Sequence, residues 1–245
     1  MTPLPLTGAA AVAVSVAVLA GALAQAITGL GFALVCAPVL VVALGARPGV
    51  RLVNILAIFV NVFLLWRERS GIRLADSARL LVPAAMVTPI AAWVVHRTDP
   101  AVLSVVAGVL IAASAWALAS GLRAARLRGA GGAAIAGVIS AVMNTAGGVG
   151  GPAAAMYATN AGWPPASLRP TLQVYFLGLN IVTVIALGPV RPSSSVVGVL
   201  LGALVVGLVA GSWLADRLAV TSIKSAILAL SFAGGLVAIG RGLLG

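Results

Sequence analysis

The sequence predicts an all-α polytopic membrane protein of about ten hydrophobic segments in two inverted five-segment repeats. Three observations predict it. First, the 245 residues are 62% apolar, with 29 glycines besides, and only 8% are charged. Soluble domains are about 25% charged, so this chain cannot cover a globule with polar surface. Second, the apolar residues fall in runs that mostly reach the roughly 17–25 residues a helix needs to cross a bilayer. Third, landmarks of the first half recur in the second at an offset near 120.

The segments run near 7–27, 30–45, 50–66, 79–96, 101–120, 132–146, 149–161, 171–190, 196–215 and 224–243. Two of them, 30–45 and 149–161, are short, and each directly follows a glycine cluster. The first apolar run has no basic residue ahead of it, so it reads as a membrane helix rather than a cleaved signal peptide. Ala92–Arg97 matches Ser212–Arg217 at an offset of 120, and Arg47-Pro48-Gly49 matches Trp163-Pro164-Pro165 at 116. Chance alignment of Ala, Val, Leu and Gly strings is the competing explanation. The shared Trp and Arg positions, and a short second segment in each half, argue against it. The chain therefore divides into a first repeat at 1–120, a basic linker at 121–131 and a second repeat at 132–245.

Parity decides orientation. If all five segments of a half cross, the second half starts on the opposite face and the repeats are inverted. One face then carries Arg67, Arg69, Arg73, Arg79, Arg123, Arg126, Arg128, Arg169, Arg217 and Lys224, ten cations against five on the other: Arg47, Arg51, Arg97, Arg191 and Arg241. If segments 2 and 7 instead re-enter and return, the split falls to nine against six. The positive-inside rule favours the sharper split, with the linker in the cytoplasm and both termini outside.

Composition also removes functions. One cysteine, Cys36, allows no intrachain disulfide and no thiolate metal cluster. One histidine, His96, leaves no His-rich metal site. The four acids, Glu68, Asp76, Asp99 and Asp216, lie at or near loops. Ionisable residues at membrane depth usually mark proton relays and cation paths. Their absence disfavours a cation antiporter, a proton pump and an enzyme, and no metal or cofactor is expected. The net charge of +11 reads as helix anchoring rather than nucleic-acid binding. Trp66, Trp93, Trp163 and Trp213 sit at segment ends, as an interfacial aromatic belt requires.

What does sit at depth is neutral and polar: Gln25, Thr28, Asn54, Asn61, Asn144, Thr145, Gln173, Tyr175 and Asn180. A lone membrane amide is commonly glue between helices, but these gather at equivalent places in both halves. Gln25 and Thr28 precede the cluster Gly29–Gly31, and Asn144 and Thr145 precede Gly147–Gly151. Asn54 and Asn61, like Gln173 and Asn180, are seven residues apart, which keeps each pair on one helix face. Glycine at this density interrupts a helix, and Pro152 suits the first turn of a new one. Broken membrane helices are tolerated only where their backbone faces protein or a wet cavity. A half-helix N-terminus suits an anion. The candidate substrate residues are therefore Gln25, Gly29, Gly31, Asn54, Asn144, Thr145, Gly147, Gly148, Gly150, Gly151 and Gln173. Arg51 and Arg169 are vestibule candidates that could steer anions by their field, with interfacial anchoring as the alternative. Close helix packing is the competing account of glycine, and it suits Gly202, Gly207 and Gly211.

The Gly29-Leu30-Gly31-Phe32 block with Pro38, the Gly147–Pro152 block, and Trp163–Leu172 followed by Tyr175-Phe176 resemble the TauE/SafE sulfite exporter family. The resemblance covers nearly the whole chain. It implies a bacterial inner-membrane, multi-pass transporter that moves sulfite, an organosulfonate or a related anion outward, and the inverted repeats imply a secondary transporter working by alternating access. The partners expected are the small anionic substrate and the lipid bilayer, with no nucleic acid and homo-oligomerisation left open. An anion channel and a non-transport accessory protein are the rival readings.

Overall fold

The computed structural model of the chain describes residues 8–122, 128–188, 194–215, 217 and 220–244. Among them are ten helices: α1 (Gly8–Thr28), α2 (Phe32–Leu44), α3 (Ala46–Arg67), α4 (Leu74–Arg97), α5 (Pro100–Ala119), α6 (Gly129–Gly147), α7 (Gly151–Asn160), α8 (Pro165–Leu187), α9 (Ser194–Leu214) and α10 (Val220–Leu244). Lipid offers backbone groups no hydrogen-bond partner, so the chain satisfies them within each helix. Eight of these helices are long and apolar enough to span a membrane. The other two are the expected short ones. At about 1.5 Å per residue, the 13 residues of α2 and the 10 of α7 fall well short of a hydrocarbon core of about 30 Å. Most of the linker's basic run, including Arg123 and Arg126, lies outside the described residues, as does Arg191.

Several helices start earlier than their apolar segments. Helix α4 begins at Leu74 rather than near 79 because its first turn is polar: Asp76 pairs with Arg73 at 2.7 Å and Arg79 at 2.8 Å. A carboxylate near a helix N-terminus also meets the positive end of the helix dipole. Helix α8 begins at Pro165, where proline's fixed φ suits a first turn. Hydropathy marks the lipid-embedded part of a helix and misses such interfacial turns.

Glycine contacts give the helix directions. A Cβ on Gly21 would strike Phe32 O and Cys36 Sγ, and Cys36 Sγ donates to Ala17 O at 3.1 Å, so α2 folds back along α1. A Cβ on Gly49 would strike Leu40 O at 2.6 Å, so α3 folds back along α2 across the single residue Gly45. In the second half, Tyr157 OH donates to Gly129 O and Ser140 Oγ to Gly150 O, so α7 folds back along α6. Helices α3 and α8 run antiparallel. The turn after α3 meets the start of α8, where Arg73 N donates to Thr171 Oγ1, while Ala46 and Val50 pack with Leu187 at the far end. Helices α5 and α10 are antiparallel too, with Gly108 against Gly235 and Gly242 against Ala101. Helices α1 and α9 run parallel, Gly207 and Gly211 closing on the carbonyls of Leu19 and Leu23.

Two expectations need correction. Gly202 does not mediate packing, since a Cβ there would meet nothing within 4 Å among the described residues. Trp163 is not an interfacial residue: it is 7% exposed and stacks edge-on against Tyr157 in the core. Its Trp-Pro-Pro context places it in a tight turn that tucks the ring inward, which position at a segment end does not reveal. Trp66, Trp93 and Trp213 are exposed as expected. The matched pairs Trp93/Arg97 and Trp213/Arg217 make the same cation–π contact, at 3.9 and 3.8 Å.

Candidate functional site

Both glycine clusters are helix breaks, built alike. At the first, Gly29 takes a left-handed φ of +79° between α1 and α2. At the second, Gly148 takes +72° between α6 and α7. Only glycine adopts this backbone without steric cost. In each break an amide three or more residues upstream bonds to the new helix's start. Gln25 Oε1 accepts from Gly31 N at 2.7 Å and Phe32 N at 3.0 Å, and Asn144 Oδ1 accepts from Gly150 N at 3.4 Å. A constant offset of 119 relates Gln25 to Asn144, Gly29 to Gly148, Gly31 to Gly150, Asn54 to Gln173 and Asn61 to Asn180.

Helices α3 and α8 stitch the breaks to the rest of the protein. Asn144 Nδ2 donates to Asn54 Oδ1 at 2.6 Å, Thr183 Oγ1 at 3.1 Å and Asn180 Oδ1 at 3.2 Å. At the other break, Gln25 Nε2 and Gln173 Nε2 both donate to Gly29 O, at 2.9 and 3.3 Å. Arg169 Nη2 donates to Ala26 O at 2.9 Å and pairs with Glu68 at 3.2 Å. Arg169 thus tethers α8 to the end of α1. Arg51 makes no hydrogen bond or ion pair within the described residues.

Between the breaks lies a cavity of about 50 Å³, room for a few waters or one small ion. Leu30 and Phe32 line it from the first break, and Gly148, Gly150, Gly151 and Pro152 from the second. Its polar lining is Gln25, Asn61, Asn144 and Asn180, and among the described residues no ionisable side chain reaches it. Val53, Val60 and Phe176 supply apolar wall. The first turns of two short helices meet here, so their positive dipole ends converge on one space, with Gly31 N and Phe32 N already held by Gln25 Oε1. Asn61 Nδ2 is buried and has no hydrogen-bond partner among the described residues.

Of the candidate residues, Gln25, Asn144, Gly148, Gly150 and Gly151 line the cavity. Gly29, Gly31, Asn54 and Gln173 stand behind it and hold the breaks in shape. Thr145 Oγ1 bonds back to Ala141 O within its own helix, and Gly147 closes α6 beside Leu110. Arg51 and Arg169 do not reach the cavity. Asn61 and Asn180 are the polar lining residues missing from the sequence-derived site. Their signal was present: each lies seven residues beyond Asn54 or Gln173 on the same helix face.

The family model described as sulfite exporter TauE/SafE matches residues 13–241, nearly the whole chain. The chain belongs to the TauE/SafE family. Neither the curated proteins nor the solved structures contain a match to it. Within a TauE/SafE chain the site described here is a neutral, amide-rich cavity between two helix breaks, and membership makes the chain one of a family of membrane transporters.

Proposed function

We propose that this TauE/SafE chain is a secondary transporter that exports a small sulfur-containing anion, sulfite or an organosulfonate, by alternating access. The observation that carries the reading is the cavity where both breaks meet, with Asn61 Nδ2 as a buried donor lacking an acceptor. A buried unpartnered donor costs about 1–3 kcal/mol, and an anion removes that cost. The lining offers amide and backbone N–H groups and no carboxylate to repel negative charge. Membership of a sulfite exporter family supports sulfite as the first substrate to test.

The two-repeat division at 1–120, 121–131 and 132–245 supports the alternating-access part of the reading. The constant offset of 119, the matching positive-φ glycines and the antiparallel course of α3 against α8 support inverted repeats. In such proteins substrates sit at the repeat interface and one half rocks against the other. The cation distribution supports a cytoplasmic linker and outward termini in a bacterial plasma membrane. With no nucleotide motif in the sequence, the ion gradient, the membrane potential or the anion's own gradient drives transport.

Flux from proteoliposomes into which the purified protein is reconstituted tests the proposal, against a panel of sulfite, thiosulfate, taurine-like sulfonates, sulfate and chloride. Saturable counterflow of one sulfur anion is the expected result. Non-saturating, voltage-following flux of every anion would make it a channel. No flux of any of them would remove the transport reading.

A further inference from the structure

A second, larger cavity of about 450 Å³ lies beside the central one. The C-terminal ends of α1, α5 and α7 and the first turns of α10 surround it. Its polar lining includes Thr28, Thr159, Asn160 and Lys224, and Gly121 and Leu122 place it next to the basic linker. It contains the half-buried Asn160, whose Nδ2 is enclosed and has no hydrogen-bond partner among the described residues. Leu30 and Leu34 line both cavities and form the wall between them. Leu30 Cδ2 lies 3.1 Å from where a Cβ on Gly151 would stand, and Phe176 Cζ lies 3.7 Å from it. Leu30 thus closes against the second break, and Leu34, whose backbone O accepts from Ser231 Oγ of α10 at 2.8 Å, completes the apolar wall.

We propose that the second cavity is the linker-side vestibule of the anion path, where Asn160 and Lys224 form an outer anion site and Leu30 and Leu34 form the gate to the central cavity. The proposal rests on the transport reading above and assigns that path a mouth and a barrier. Lys224 raises the local anion concentration by its field, and Asn160 supplies a donor where water thins out. Leu30 belongs to the first break and presses on the second, so relative movement of the two breaks opens or seals this face. A hydrophobic constriction blocks ions by dewetting without binding them.

Single cysteines in a Cys36→Ser background test it with an impermeant anionic methanethiosulfonate. Leu122→Cys, next to the linker, marks the face. Met156→Cys, in the vestibule, should react from that same face, and its modification should cut sulfite flux at least tenfold. Asn61→Cys, in the central cavity, should be protected from that face and react at least tenfold faster once Leu30→Ala or Leu34→Ala is added. Retained reactivity of Met156→Cys in the alanine variants shows that they still fold. Failure of Met156→Cys to react from the face of Leu122→Cys, or its modification with unchanged flux, overturns the vestibule. Equal reactivity of Asn61→Cys with and without the leucines overturns the gate. Absent flux in the parent protein would instead remove the transport reading, while the labelling pattern would still decide the route.

Discussion

Asn144 and Asn61 are both buried asparagines beside one cavity, yet their substitutions should behave oppositely. Asn144 binds Asn54, Asn180 and Thr183 and accepts from Gly150 N. Asn144→Ala strands several buried groups, so it should cost about 1–3 kcal/mol of stability, seen as a lower unfolding temperature in detergent. Asn61 Nδ2 has no partner to lose. Asn61→Ala should therefore leave the unfolding temperature unchanged or raised while weakening anion affinity. Loss of a hydrogen bond to a charged group is worth about 1.5–3 kcal/mol, roughly tenfold to a hundredfold in affinity. A fall in stability for Asn61→Ala as large as that for Asn144→Ala would show that Asn61 is structural. Glycines divide in the same manner. Gly148→Ala should destabilise through its positive φ, and Gly150→Ala through collision with Ser140 O at 2.7 Å and Asn144 Cβ at 2.8 Å. Gly207→Ala and Gly211→Ala should separate α1 from α9, whereas Gly202→Ala should be neutral or stabilising, because alanine is the better helix former in open space.

At the scale of helices, the breaks are not loose ends but capped joints. Gln25 occupies the N–H groups of Gly31 and Phe32, the very donors that a free half-helix would offer an anion. Side-chain capping competes with the ligand at the first break, so the second, where Gly150 N is held only at 3.4 Å, is the more available donor. The two candidate vestibule arginines also part company. Arg169 is committed to Ala26 O and Glu68. Arg169→Gln should lower flux equally at low and high salt, since it loosens α8 from α1. Arg51 has no such partner within the described residues. Arg51→Gln should slow flux mainly at low ionic strength, because salt screens a steering field over about 10 Å at 0.1 M. Initial sulfite flux at two salt concentrations separates them, and identical salt profiles for both variants would reject the distinction.

For the molecule as a whole, direction reverses at α1–α2 and again at α2–α3, so α2 counts as a passage despite its 13 residues. With the matching reversal at α6–α7, that parity supports the reading in which ten cations lie on one face and five on the other. An impermeant reagent should therefore label Leu122→Cys only in broken or inverted cells. Labelling in intact cells would reverse the orientation.

Much of this was legible without coordinates. Composition alone requires a membrane protein, because 19 charged residues cannot solvate 245. Apolar run lengths locate all ten helices, because a helix in lipid is delimited by where hydrophobicity stops. The glycine clusters mark the breaks, because no other residue tolerates the backbone they need. Tertiary structure alone decided which polar groups hold the breaks and which face the cavity. Asn54 and Asn61 share a helix face and a chemistry. A contact from α6, some ninety positions away in the chain, satisfies the first and leaves the second without a partner. Hydrogen-bond satisfaction is a property of three helices meeting, and no single segment encodes it.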